Sequence, residues 1–102
     1  MKFQTTPWGT PDHVQQVADG VWLISTPSHG GFYLDETRNA RVPMSWQQGS
    51  FRQQGMRGWY EEDCDAPLVV MSLPELFDAD EVRRAHDFLQ MWWSSKLPTE
   101  VV

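Results

Sequence analysis

The strongest constraint in this 102-residue chain is a hydrophobic stretch cut twice by connections so short that the strands must fold back on one another. Asp19-Gly20 separates Val17-Ala18 from Val21-Trp22-Leu23-Ile24, and Pro27-Ser28-His29-Gly30-Gly31 separates that segment from Phe32-Tyr33-Leu34. An Asp-Gly pair between apolar segments signals a hairpin, because both central residues of a type I′ turn need positive φ. The second connection is short enough to return the next strand antiparallel beside its predecessor. The pattern predicts strands at about 13 to 18, 21 to 26 and 32 to 34, joined as a three-stranded antiparallel meander.

The second half has helical signals. Glu61-Glu62-Asp63-Cys64-Asp65 stacks carboxylates ahead of Ala66-Pro67-Leu68-Val69-Val70-Met71. The positive end of a helix dipole favours such charges, and proline is tolerated in a first turn. A helix over 62 to 72 follows, apolar enough to be the central buried one, ending at Ser72-Leu73-Pro74. Asp78-Ala79-Asp80-Glu81 has the form of a capping box, and Val82, Ala85, Leu89, Trp92 and Trp93 then lay a stripe along a last helix that stops at Leu97-Pro98. The expected fold class is α+β, a small three-stranded meander packed against two C-terminal helices.

Around this frame, residues 1–10 read as an extended lead-in anchored by Trp8, with Thr10-Pro11 as an alternative short helix start. Asp35 is placed to cap one helical turn before Val42-Pro43. Residues 44–57 lack a sustained period and read as a mobile loop, in which Trp46, Phe51 and Met56 either pin the loop to the core or stand exposed. Residues 97–102 read as a frayed tail. One domain, 1–102, is expected, since dividing this length would leave each core too small.

Six tryptophans and five phenylalanines make the chain too aromatic for a disordered one. The sole cysteine, Cys64, cannot form an intramolecular disulfide or a structural zinc site, which points to a reducing cytoplasm. No segment approaches the ~20 apolar residues of a membrane span, so a soluble, unprocessed protein without membrane contact is expected. Residues 1–57 hold five basic against four acidic residues, a balance of +1, whereas residues 58–102 hold three against ten, −7. That balance favours basic protein surfaces and argues against direct nucleic-acid binding, although Arg38, Arg41, Arg52 and Arg57 leave room for a basic patch.

Two constellations could support chemistry. In Ser28-His29-Gly30-Gly31 an imidazole sits beside backbone amides that a ligand could approach, although a tight turn with a backbone-bonded histidine is the simpler reading. Glu61, Glu62, Asp63 and Cys64, brought near His29, would make a Cys-His pair or a His-carboxylate metal site. The surrounding carboxylates would make a Cys64 thiolate scarce, so Cys64 reads better as a small core residue. His13 and His86 lack ligand-like neighbours, and no dinucleotide fingerprint, phosphate loop or zinc-protease motif occurs. No cofactor is expected.

Taken together, Thr6-Pro7-Trp8-Gly9, Thr26-Pro27-Ser28-His29-Gly30-Gly31 and Gly58-Trp59-Tyr60-Glu61-Glu62-Asp63-Cys64-Asp65 resemble a family of small uncharacterised domains encoded by proteobacterial phages and plasmids, over about residues 6 to 80. The resemblance implies context and no catalytic role: short acidic proteins of mobile elements often occlude a basic surface of a host defence complex, as CRISPR inhibitors do. The favoured reading is a non-enzymatic protein-binding module whose partner is a host protein, such as a nucleic-acid-handling defence effector. Its contact residues would be Glu61, Glu62, Asp80, Trp46, Phe51 and Trp93. A small hydrolase or metal-dependent enzyme built on His29 with Glu61, Glu62, Asp63 or Cys64 is the first alternative, and a homodimer formed through the tryptophan-bearing last helix is the second.

Overall fold

A computed structural model describes residues 5–49, 57–62 and 65–92. Strands β1 (His13–Ala18), β2 (Val21–Ser25) and β3 (Gly30–Leu34) form the expected meander, and β4 (Trp59–Glu61) extends it to a four-stranded antiparallel sheet in the order β1-β2-β3-β4. The fourth strand is a correction to the three-stranded expectation. Trp59, Tyr60 and Glu61 are too short a run to announce a strand, and they become one because Tyr33, Phe32 and Gly31 offer a ladder to pair with.

The Asp19-Gly20 hairpin forms, but not with the expected turn type. Gly20 takes φ of 80°, while no non-glycine residue among those described, Asp19 included, has positive φ, which rules out a type I′ turn. The register instead slips between Gln16 and Ala18, and this bulge accommodates the turn. The doubled glycine also differs from a tight turn: Gly30 and Gly31 lie inside β3, both buried, with ordinary φ. A side chain on Gly31 would collide with the Tyr60 carbonyl oxygen and Trp8, so the residue is small because other groups approach its backbone.

One face of the sheet supplies Val21, Phe32, Leu34 and Tyr60 to the core, which Val42, Trp46, Leu68, Val69, Leu73 and Leu89 complete from the helical side. The lead-in crosses the other face. Its Thr6–Gly9 turn brings Trp8 over Gly31, edge-on to Trp59 with ring centroids 5.5 Å apart, and Trp59, Tyr33 and Trp22 continue the aromatic row. No helix forms at Thr10-Pro11.

Helix α1 (Glu36–Asn39) is capped as expected, the Asp35 carboxylate accepting the Arg38 N–H at 2.9 Å. Helix α2 (Met44–Gly49) occupies part of the stretch read as a mobile loop, and Trp46 is 2% exposed. Residues 50–56 lie outside the described residues. Burial of one indole in the core outweighs the poor periodicity around it. Helix α3 begins at Ala66 and runs to Ser72, later than the expected 62, because β4 claims Glu61. It buries Leu68, Val69 and Ser72, as its apolar sequence required. After a 3₁₀ turn over Pro74–Leu76, α4 (Ala79–Trp92) starts at a reciprocal capping box: the Asp78 carboxylate accepts the Glu81 N–H at 2.8 Å, and the Glu81 carboxylate accepts the Asp78 N–H at 3.1 Å. Ala85 and Leu89 of its apolar stripe are buried. Trp93 and the tail lie outside the described residues.

Candidate functional site: a histidine–glutamate pair and an acidic-rimmed groove

Two arrangements stand out on the surface of the domain. The first begins with Thr26, whose buried hydroxyl donates to the His29 carbonyl at 2.7 Å and accepts the His29 N–H at 3.1 Å. This closes the Thr-Pro-Ser-His turn and fixes where the imidazole leaves the chain. Across the ladder, Gly31 pairs with Glu61, and the Glu62 N–H donates to the Gly30 carbonyl at 2.9 Å. Strand pairing therefore puts His29 Nδ1 3.1 Å from the Glu61 carboxylate, with the Glu62 side chain against Gly30. His29 is half exposed while the Glu61 side chain is only 13% exposed, so Glu61 is committed to its partner and is not an open contact residue. A carboxylate on one ring nitrogen orients an imidazole and sets its tautomer, the arrangement that acid–base chemistry uses. Asp63 and Cys64 lie outside the described residues. Among the described residues, no group of three or more His, Cys, Asp or Glu side chains could hold a metal ion.

The second arrangement was not visible in the sequence. Helices α3 and α4 leave between them an open groove of about 290 Å³, floored by Ala66, Pro67, Val70, Ala85 and Phe88, with Glu62, Glu81 and Arg84 around it. The i, i+4, i+7 spacing of Glu81, Ala85 and Phe88 was the available signal, hidden because Glu81 already had a role as a cap. Among the described residues, Glu62 is the flagged carboxylate that touches both arrangements.

Several other charges are tied within the chain. Arg41 holds Glu75 with two hydrogen bonds, at 2.8 and 3.1 Å, and reaches the Ser72 carbonyl at 3.0 Å. That guanidinium keeps the Glu75 carboxyl below the usual carboxylate range. Arg38 donates to the Asp19 carbonyl, so Arg38 and Arg41 serve as internal ties and do not make a basic patch. Arg57 is exposed, and Arg52 lies outside the described residues. Asp80, an expected contact, pairs with Arg83 at 3.0 Å one helical turn on, both well exposed. Trp46, another expected contact, is buried in the core. Phe51 and Trp93 lie outside the described residues. His13 and His86 are exposed.

A buried polar cluster also escaped the sequence reading. The Tyr60 hydroxyl donates to Asn39 Oδ1, the Asn39 amide donates to Gln47 Oε1 at 3.3 Å, and Gln47 returns bonds to the Asn39 and Val42 carbonyls at 3.1 and 2.8 Å. Burial, and secondarily the nearby Asp65 carboxylate, push the Tyr60 phenol well above its ordinary value. Asp65 itself is 1% exposed at the start of α3. The cluster ties α1 and α2 to β4.

The family model described as a domain of unknown function, DUF7007, matches residues 2–99. The chain belongs to the DUF7007 family. No curated protein and no solved structure matches it. In this DUF7007 domain no helix among the described residues is long and apolar enough to cross a membrane.

Proposed function

We propose that this DUF7007 domain is a non-enzymatic protein-binding module that receives an apolar side chain flanked by Lys or Arg in the groove between α3 and α4. The observation behind the reading is the groove's composition: an apolar floor with Glu62 and Glu81 beside it. Burial of the apolar anchor supplies affinity, and the carboxylates select a basic flank and speed encounter. Arg84 at the same rim disfavours a uniformly basic ligand and narrows the register. The acidic balance of residues 58–102 supports a basic partner surface of the kind found on nucleic-acid-handling proteins. A host defence effector is the partner that the resemblance to phage and plasmid domains implies, and a cytoplasmic setting goes with it.

The test is selection from a displayed peptide library followed by binding measurements on the winners. Enrichment of Leu, Ile or Met flanked by Lys or Arg is expected, with affinity falling as salt rises. Glu62→Arg should weaken the selected peptides about tenfold or more, the equivalent of ~1.4 kcal/mol. Absence of a basic signature, or peptides that bind Glu62→Arg equally well, would end this reading.

The His29–Glu61 pair favours a second reading, acid–base catalysis by a small hydrolase. It predicts that purified protein hydrolyses some member of an ester, amide and phosphoester panel, and that His29→Ala abolishes the turnover. A turnover unaffected by that substitution would come from a contaminant and remove the idea.

A further inference from the structure

Resting on the reading of the α3–α4 groove as a receptor for an apolar side chain with a basic flank, we infer that the chain regulates it from within. Residues 94–100 fold back along α4, seating Leu97 on the groove's apolar floor with Lys96 toward Glu62. Chain geometry provides the route. Glu81, Ala85 and Phe88 recur at i, i+4 and i+7 on the groove face of α4, and Trp92, where the helix ends among the described residues, continues that face at i+11. The helix rises about 10 Å from Ala85 to Trp92. Leu97 stands five residues farther on, a reach of up to about 17 Å, which leaves slack for a reversal at Ser94-Ser95.

Charge order singles out this segment. It reads Lys96, Leu97, Pro98, Thr99, Glu100, with a basic residue on one side of the apolar anchor and an acidic one on the other. The groove carries both signs as well, Glu62 and Glu81 with Arg84, so Lys96 and Glu100 each find an opposite charge there. Pro98 keeps the segment from extending α4 and lowers the entropy lost when it is ordered. Lys2-Phe3, Phe51-Arg52 and Met56-Arg57 also join a basic residue to an apolar one, but they attach to the fold away from the groove. The first precedes the lead-in, which crosses the opposite face of the sheet. The other two lead into β4 at Gly58, beside Leu34, whereas Glu62 lies past the far end of that strand, beside Gly30. A tethered segment meets its site at an effective concentration of about millimolar, so even a weak intrinsic fit fills the groove for part of the time and a foreign ligand must displace it.

Methyl NMR on the full chain, labelled at alanine and leucine, is the test, because Ala66 and Ala85 line the groove and Ala18 and Ala40 do not. Leu97→Ser should move the Ala66 and Ala85 signals and leave Ala18 and Ala40 in place. A cross-peak between the Leu97 and Ala85 methyl groups is expected in the unaltered chain. It should be lost in Lys96→Glu and in Glu62→Lys and regained when the two are combined, since the ion pair is then restored with its signs exchanged. Peptides selected on the groove should bind Leu97→Ser about twofold or more tighter than the unaltered chain. The cross-peak with no selected peptide would remove the foreign partner and uphold the internal one. Selected peptides that bind both chains alike, with no cross-peak, would overturn the internal occupant and leave the foreign partner standing. Groove methyls indifferent to Leu97→Ser, or a double variant that fails to regain the cross-peak, would also overturn it.

Discussion

Replacing Gly31 with alanine tests the central packing arrangement of this fold. A Cβ at that position would stand 2.8 Å from the Trp8 ring and 2.9 Å from the Glu61 Cα, and closer still to the Tyr60 carbonyl oxygen. Carbon contacts settle near 3.5–4.0 Å, so the methyl is roughly 0.6 Å or more too close to each carbon. Two of the three obstacles are backbone atoms of β4 and cannot rotate away. The strands must part, straining a ladder that holds only Gly31↔Glu61, Phe32↔Tyr60 and Tyr33↔Trp59. Overpacking costs about 1–3 kcal/mol, and one or two weakened ladder hydrogen bonds add about 1 kcal/mol each. Restriction of the unfolded chain by alanine returns about 0.4–1 kcal/mol, which leaves a net loss of about 1–4 kcal/mol, centred on about 2–3 kcal/mol. For a domain of this size that loss lowers Tm by about 10–20 °C. Urea unfolding followed by tryptophan fluorescence measures it, since Trp8 and Trp59 both report on the site. The same variant should part Glu61 from His29, whose contact depends on that ladder. A loss below about 0.5 kcal/mol, the range of an ordinary surface change, would refute the close-approach account of the glycine.

Two further outcomes follow from the core and the caps. Tyr60→Phe strands the Asn39 side-chain oxygen in the interior and should cost about 1–3 kcal/mol in the same urea assay. Because the folded state keeps the Tyr60 proton past the pH of about 10 at which the unfolded chain releases it, stability should be undiminished below that pH and fall above it, by up to about 1.4 kcal/mol per pH unit; Tyr60→Phe should flatten this alkaline slope. Asp78→Ala removes one half of the reciprocal cap on α4 and should cost about 1 kcal/mol, read as a Tm shift with the fold retained by circular dichroism.

Local rules made much of the fold legible in the sequence. The Asp19-Gly20 break, the Asp35 cap and the Asp78–Glu81 box each act within four residues, and each element forms where its signal stands. The apolar character of Leu68 and Val69 fixed the buried role of α3 in the same way. What tertiary structure alone decided involves partners far apart along the chain. β4 exists because β3 offers it hydrogen bonds, Trp46 joins the core although its neighbours show no period, and Gly31 is crowded by Trp8 and Tyr60 from either side in sequence. The candidate sites divide along the same line. His29 and Glu61 were both visible as residue types, but only the β3–β4 register brings them within 3.1 Å. Asp80 read as open charge in one dimension and is paired with Arg83 in three. Composition fixes how many charges a chain has, whereas the fold fixes which of them face one another, and Coulomb energy depends on that separation.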